Sequence, residues 1–152
     1  MIKEELESVY SKFKLHFYKS FFDKIQTREA TLTTVETYCI EIIAALGKPT
    51  ISEFSSFIQI SSPNAAYKVN SLIKKGYLRK IRSENDKREY HLEVTDKYLD
   101  YYNLSSVYVD TVATRMKNTF SEEELKVLEK ILKITEEELM PEVEFAVGGE
   151  NR

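Results

Sequence analysis

A short segment in the middle of the chain carries side chains of the kinds that proteins use to bind a nucleic acid. Asn64 can form two hydrogen bonds with the N6 and N7 atoms of adenine, and serine is an adaptable polar partner for a base. Ala66 is small enough to let a helix approach a thymine methyl group. Lys68, Lys74 and Lys75 carry the positive charge that phosphates attract. The candidate contacts in this segment are Ser61, Ser62, Asn64, Ala66, Tyr67, Lys68, Ser71 and Lys74.

Cationic side chains follow directly, in a stretch that is predicted to form a β-hairpin. Arg79 and Arg82 lie in its arms, and Lys87 and Arg88 lie at its polar tip. A basic hairpin tip can enter a minor groove, where the negative potential attracts arginine. Asp86 is expected to hold the backbone N–H groups of the tip or to orient Arg88.

The distribution of charge favours a localised anion-binding surface. The chain has 152 residues and a net charge of −3. Residues 61–91 nevertheless contain eight basic and three acidic side chains, a charge of +5, whereas residues 121–150 carry −7. The alternative is an ordinary solvated run of charge. Because the basic hairpin immediately follows the polar helix, the anion-binding interpretation is preferred.

Two capped helices are predicted before this segment. Thr33 and Glu36 fit a capping box, in which the hydroxyl and the carboxylate each satisfy a free backbone N–H. Thr50 and Glu53 fit a second one. The first helix is predicted to run from Thr33 to Leu46, and the second helix runs as far as Gln59.

The candidate contact segment is itself predicted to be a helix. Ser62 is the expected N-cap, and Pro63 then occupies the first helical position, where its missing N–H costs nothing. Gly76 ends this helix, and strand-like runs follow at 77–82 and 89–94. The middle of the chain is therefore predicted to form a helix–turn–helix followed by a β-hairpin.

The two ends of the chain carry long amphipathic segments. Large apolar residues recur at helical spacing over residues 2–25, and another helix is predicted over 96–120. Ser121 and Glu124 begin a final helix that Pro141 ends. These segments have more apolar surface than a small domain covers, so we expect a second copy of the chain to pack against them. The predicted regions of this single structural domain are a dimerisation helix at 1–30, a DNA-binding region at 31–95, dimerisation helices at 96–145 and a frayed tail at 146–152.

The order of these elements resembles the multiple-antibiotic-resistance regulator (MarR) family. The resemblance covers the whole chain in outline and residues 50–96 in motif, and its most specific mark is the Asp-x-Arg of the hairpin. Tyr67 departs from the pattern, because many members carry Arg or Lys there. The segments that carry the resemblance are Thr50-Ile51-Ser52-Glu53-Phe54, Ser61-Ser62-Pro63-Asn64, Leu72-Ile73-Lys74-Lys75-Gly76-Tyr77-Leu78, Asp86-Lys87-Arg88 and Leu92-Glu93-Val94-Thr95.

The resemblance implies a mostly α fold with a small β-hairpin wing (α+β), a winged helix-turn-helix flanked by dimerisation helices. It also implies a cytoplasmic homodimer that binds a palindromic operator in double-stranded DNA. By the same similarity, Arg88 reaches the minor groove and residues 62–71 contact the major groove. The expected function is that of a transcriptional regulator, a repressor released by a small-molecule effector. The single cysteine agrees with a reducing cytoplasm.

Aromatic rings in the terminal helices offer a site for such an effector. Aromatic walls with phenol groups suit a small apolar or aromatic molecule. The alternative is that these rings fill the core of the dimer. The candidate pocket residues are Phe13, Phe17, Tyr18, Phe21, Tyr38 and Tyr102.

Other classes of function have weaker support in the sequence. His16, His91 and Cys39 fall in separate elements, so neither a metal site nor a cofactor is expected. Cys39 lies among apolar residues, which is typical of an unreactive thiol. No apolar run approaches the roughly 20 residues that span a bilayer, and no catalytic motif is visible. The alternatives left open are a winged-helix protein-interaction module that does not bind DNA, and a metal- or redox-responsive regulator.

Overall fold

The computed structural model describes residues 1–26, 31–102 and 106–146 of the chain, apart from the side chains of Ile25, Tyr101 and Tyr102. These residues are mainly helical and contain one antiparallel β-hairpin, which confirms the predicted fold class. The elements are α1 (Ile2–Gln26), α2 (Thr34–Leu46), α3 (Ile51–Ile58), α4 (Ser62–Lys74), β1 (Leu78–Arg82), β2 (Tyr90–Val94), α5 (Asp96–Tyr102), α6 (Ser106–Thr119) and α7 (Glu122–Glu138).

The chain divides into two compact units. The terminal unit comprises Met1–Asp23 and Leu104–Glu144, and it holds most of α1 together with α6 and α7. The central unit comprises Lys24–Asn103 and Phe145–Arg152, and it holds the helix–turn–helix, the hairpin and α5.

The central unit is built around one apolar core. Helix α2 packs on α3, α4 and β2, and α4 also contacts β1. Side chains from each of these elements are buried, so the hairpin and the three helices share one packed interior. The core residues are Cys39, Ile40, Ile43, Phe54, Ala65, Val69, Leu72, Tyr77, Leu78, Leu92 and Tyr98.

The helices of the central unit begin where the capping motifs predict. Thr33 caps α2, and its backbone N–H donates to Glu36 Oε2 at 2.8 Å while its hydroxyl accepts from the Glu36 N–H at 3.2 Å. Thr50 and Glu53 form the same pair of bonds at the start of α3, at 3.0 and 3.1 Å. Gly47, with φ of 76°, ends α2 in the left-handed region. Both capping boxes are confirmed.

The start of α4 differs from the prediction by one residue. Ser61, not Ser62, is the N-cap, and its hydroxyl accepts a 3.4 Å hydrogen bond from the Asn64 N–H. Pro63 therefore lies one position further into the first turn, where the backbone N–H groups still lack partners within the helix. Two consecutive serines each satisfy the sequence rule, and only the backbone conformation decides between them.

The hairpin is attached to the helix–turn–helix as well as to itself. Strands β1 and β2 pair antiparallel with Leu78 opposite Val94 and Arg82 opposite Tyr90. The Leu92 N–H donates to Pro49 O at 2.7 Å. His91 Nδ1 lies 2.9 Å from Lys48 O. These contacts hold the base of the hairpin against the turn before α3.

The terminal unit carries stacked aromatic rings but little buried apolar surface. His16 stacks on Tyr108 with ring centroids 3.6 Å apart, and Phe13 meets the same ring edge-on at 5.6 Å. Ser121 and Glu124 form the predicted capping box of α7. No residue of α6 or α7, both fully described, is buried. The sequence predicts one helix over 96–120. The structure has two helices in this range, α5 and α6, and residues 103–105 between them lie outside the described part.

The end of the chain departs from the predicted frayed tail at one position. Ala146 is buried, and its N–H donates to Leu46 O at 2.9 Å. This bond satisfies a carbonyl at the end of α2 that has no partner within that helix. Residues 147–152 lie outside the described part of the structure.

Candidate nucleic-acid interface

Helix α4 presents a polar face at its N-terminal end. Ala65, Val69 and Leu72 are fully buried, so the residues between them point away from the core. Ser61, Ser62 and Asn64 are exposed, Ala66 and Lys68 are half-buried, and Lys74 is exposed further along the helix. Tyr67 has 77% of its surface exposed. The first two turns of α4 therefore bring together most of the predicted base contacts on one accessible face.

Ser71 and Lys75 do not belong to that accessible face. The Ser71 hydroxyl donates to Glu36 Oε1 at 2.5 Å, and Lys75 Nζ donates to Glu36 Oε2 at 2.7 Å. Both polar groups are directed to the start of α2. The structure thus places two predicted DNA contacts in an internal network, because each has a tertiary partner that the sequence pattern does not reveal.

The carboxylate of Glu36 is the centre of this network. Burial alone would raise its pKa, but hydrogen bonds from Lys75, Ser71 and the Thr33 backbone, together with the charge of Lys75, lower the pKa from 4.5 to about 2. Glu36 is consequently ionised throughout the neutral range. The capping motif identifies the residue, but its contacts with α4 depend on tertiary packing.

The arms of the hairpin are organised by ion pairs and backbone contacts. Arg79 lies opposite Glu93 across the strands, and Arg79 Nε donates to Glu93 Oε2 at 2.9 Å. Burial would raise the pKa of Glu93, but Arg79 and Lys48 bind this carboxylate and lower its pKa below the usual value. Arg82 Nε donates to Lys87 O at 2.7 Å. The guanidinium groups of both arginines, which lie on β1, therefore have partners within the hairpin.

The tip of the hairpin is held by a short series of hydrogen bonds. Asp86 Oδ1 accepts from the Arg88 N–H at 2.9 Å, and the Asp86 N–H donates to Ser83 Oγ at 3.4 Å. The Ser83 N–H donates to Glu89 O at 2.9 Å, which closes the loop. Lys87 and Arg88 are exposed on this turn. The contact from Asp86 to the backbone of the tip is one of the two roles expected for it.

The candidate effector residues fall in both units. Within the terminal unit, Phe17 lies 6.1 Å from Phe21 and 5.9 Å from Tyr18, measured between ring centroids. Phe21 is buried, Phe13 is half-buried and Tyr18 is exposed. In the central unit, Tyr38 is exposed. The side chain of Tyr102 lies outside the described part of the structure.

Cys39 has the surroundings of a structural residue. Cys39 is 4% exposed, and burial raises the pKa of its thiol, an effect that the charge of Lys68 partly opposes. The described residues contain no group of three or more His, Cys, Asp or Glu side chains placed to hold a metal ion.

A buried tyrosine adds a contact that sequence reasoning missed. The Tyr98 hydroxyl donates to Glu41 Oε1 at 2.9 Å and ties α5 to α2. Burial raises the pKa of Tyr98, and the charge of Glu41 raises it further. The apolar periodicity of α5 gives no signal for this bond.

The helix–turn–helix, its basic hairpin and the polar start of α4 define a winged-helix protein. Residues 32–90 match the model of the MarR family. The resemblance found in the sequence is thereby confirmed. MarR family proteins are transcription regulators, not enzymes.

Solved structures agree over most of the chain. FabT of Streptococcus pneumoniae, in complex with DNA, is 25% identical with a TM-score of 0.54, and the match covers 91% of this chain and 94% of that one. A MarR family protein from Bacillus stearothermophilus has a TM-score of 0.57 at 14% identity, over 91% and 92% of the two chains. A MepR variant from S. aureus has a TM-score of 0.59 at 13% identity, over 92% and 98%. The Bacillus stearothermophilus protein and MepR, both below 15% identity, share the fold of this chain.

A comparison with curated proteins finds none that matches. Among the described residues, no helix has the length and apolar character to cross a membrane.

Proposed function

We propose that this chain is a homodimeric transcriptional regulator that binds a palindromic operator in double-stranded DNA. In this proposal, the N-terminal turns of α4 contact base edges in the major groove. The hairpin acts as a wing, and Arg88 enters the adjacent minor groove. The regulator is a cytoplasmic repressor that a small apolar or aromatic effector releases from DNA.

The observation that carries the proposal is the pairing of an exposed polar helix start with an exposed basic hairpin tip in one compact unit. Asn64 and Tyr67 are accessible on α4, and Lys87 and Arg88 are accessible on the hairpin. A helix start and a wing are the two parts with which a winged helix contacts both grooves. The DNA complex of the similar FabT supports the same partner for this chain.

The proposal of a dimer rests on apolar side chains in the terminal unit. Residues on α1 and α7 leave large apolar surface uncovered, with Leu6 at 66% exposure and Ile131 at 53%. Large apolar side chains exposed along two helices are typical of an interaction surface, and a two-fold partner would cover them. Two copies then carry two α4 helices, as a palindromic site requires.

The effector part of the proposal uses the aromatic cluster of the terminal unit. Phe13, Phe17 and Phe21 supply apolar ring surface, and Tyr18 adds a hydroxyl. Such a lining is suited to an aromatic ligand. An effector of this class is expected to lower the affinity of the dimer for DNA.

Selection of bound duplexes from a random pool tests the proposed function. Wild-type protein is expected to enrich a palindromic sequence. Its affinity for that duplex should fall steeply between about 50 and 200 mM salt, with a log–log slope of about −0.9 for each phosphate contacted. An unenriched pool, or an affinity that does not depend on salt, would contradict the proposal. A protein partner captured with no salt dependence would instead support the interaction-module alternative.

A further inference from the structure

We propose that Glu36 is a positioning residue for DNA recognition, which fixes the C-terminal end of α4 through Ser71 and Lys75 so that the start of the helix meets DNA in one orientation. These three residues are called the α4 anchor below. The part of this inference that concerns DNA rests on the proposed function. The part that concerns the orientation of α4 does not.

The geometry of the α4 anchor joins two helices through one carboxylate. Glu36 Oε1 accepts from the Ser71 hydroxyl at 2.5 Å, while Glu36 Oε2 accepts from Lys75 Nζ at 2.7 Å. The same Oε2 also accepts from the Thr33 N–H at 2.8 Å. The carboxylate that caps α2 therefore also binds Ser71 in the final turn of α4 and Lys75, the C-cap residue that follows the helix. Movement of α4 relative to α2 would break the bonds from Ser71 and Lys75 to Glu36.

A second set of bonds secures the chain immediately after α4. Lys97 Nζ donates to Lys75 O at 2.8 Å, and the Thr95 hydroxyl donates to Gly76 O at 2.5 Å. The carbonyl groups at a helix end have no partner within the helix, so side chains that supply one stabilise that end. The end of α4 is thus held by α2 through the anchor and by the start of α5.

The α4 anchor is shielded enough to be strong. The Glu36 side chain is 12% exposed and the Lys75 side chain is 33% exposed. Hydrogen bonds between charged groups are about twice as strong as neutral ones, and partial burial limits screening by salt. A shift of about 1 Å in a binding residue is enough to damage a precise contact. The anchor lies at the opposite end of α4 from the exposed Asn64, so it acts on recognition through the orientation of the helix.

A competing role for Lys75 gives the opposite expectation. If Lys75 contacted a phosphate, Glu36 would compete with DNA for its ammonium group. Removing the charge of Glu36 would then release Lys75 and strengthen binding to any duplex. In the anchor proposal, removing the charge of Glu36 weakens binding, and the loss is greatest for the DNA sequence that the wild-type protein prefers.

The test measures binding of E36Q to two duplexes of equal length, one selected from a random pool by the wild-type protein and one of random sequence. We expect E36Q to lose about tenfold in affinity for the selected duplex and less than about twofold for the random one. E124Q is the matched control, because Glu124 occupies the same capping position in α7, where its carboxylate binds Ser121. E124Q should retain the wild-type ratio of the two affinities.

Further variants keep the test decisive if E36Q is poorly folded. S71A and K75M each remove one partner of Glu36 and should reduce the same affinity ratio. E36Q combined with K75M should cost less than the product of the two separate losses, because the residues act together. Tighter binding of E36Q to both duplexes, or an unchanged ratio in all three single variants, would overturn the proposal.

Amide hydrogen exchange without DNA separates this inference from the proposed function. The N–H groups of Lys75, Gly76 and Tyr77 donate to carbonyls of α4. Their exchange should accelerate about tenfold in E36Q, while amides of α7 keep the wild-type rate. Unchanged exchange would overturn the α4 anchor even if the protein binds DNA. If the wild-type protein binds no duplex but E36Q still exchanges these amides faster than the wild type, only the proposed function would be overturned.

Discussion

Arg88 lies exposed on a hairpin tip whose shape depends on other groups. The turn is closed by hydrogen bonds of Asp86, Ser83 and Glu89, and Arg88 contributes only its backbone N–H to them. The side chain is thus available to DNA without being needed for the turn. This separation allows binding to be tested independently of folding.

The first prediction concerns Arg88→Ala. We expect the free energy of unfolding in urea to change by less than about 0.5 kcal/mol, as for most surface substitutions. The affinity for the selected duplex should fall about tenfold or more, and the salt slope should become shallower by about 0.9. Lys130→Ala, which removes a positive charge from an exposed site on α7, is the control. Equal losses in the two variants would argue against a specific role for the wing.

The second prediction concerns Cys39. Burial excludes reagents and raises the pKa of the thiol, so little reactive thiolate is present at pH 8. Reaction of the native protein with a disulfide reagent should be at least about tenfold slower than reaction of the urea-unfolded chain. Peroxide treatment should leave DNA binding unchanged. A native thiol that reacts as fast as the unfolded one would favour the redox-responsive alternative.

At the level of elements, Gly76 determines how α4 connects to β1. Its φ of 86° lies in the left-handed region, which costs a residue with a Cβ atom about 1–2 kcal/mol. A Cβ at this position would lie 3.6 Å from Lys97 Cδ, an ordinary contact, so the backbone conformation supplies the cost.

The third prediction follows from that conformation. Gly76→Ala should lower the free energy of unfolding by about 1 kcal/mol. Gly76→Asn should lower it by less, because asparagine tolerates the left-handed region better. Urea unfolding of the three proteins provides the measurement. Equal stability of the alanine variant and the wild type would show that the turn can relax to another conformation.

The elements show which parts of the structure are encoded locally. The starts of α2, α3 and α7 follow from capping boxes, because a cap is made by residues three positions apart. The core face of α4 follows from helical periodicity, which is also a relation between residues close together in the chain. The choice between Ser61 and Ser62 does not, since both have the required hydroxyl.

The sequence predicts the local features of the candidate site but not its tertiary contacts. The exposed residues at the start of α4 and the basic tip follow from pattern and charge. The partners of Ser71 and Lys75 do not, because Glu36 is 35 and 39 residues away in the chain. A long lysine side chain on a helix can turn toward solvent or toward a neighbouring element, and tertiary packing decides which. Arg79 is a second example, since its partner Glu93 becomes adjacent only when the strands pair.

At the level of the whole molecule, the apolar surface of the terminal unit is the main argument for a dimer. The fourth prediction is that wild-type protein sediments at twice the chain mass of 17.8 kDa. Ile131→Glu introduces a charge on an apolar, exposed position of α7 and should shift the equilibrium toward monomer. The neighbouring Lys130→Glu places the same charge at a polar position and should remain dimeric. A wild-type monomer at micromolar concentration would contradict the dimer.

A nuclease footprint of the wild-type protein on its selected duplex is the most direct test of the proposed regulator. Two copies that each insert one α4 helix should protect two half-sites with centres about one helical turn, or about 34 Å, apart. The two half-sites should be related by a palindrome, and Arg88→Ala should weaken protection at the flanking minor grooves. A single unsymmetrical protected site, or no protection at low salt, would contradict the account.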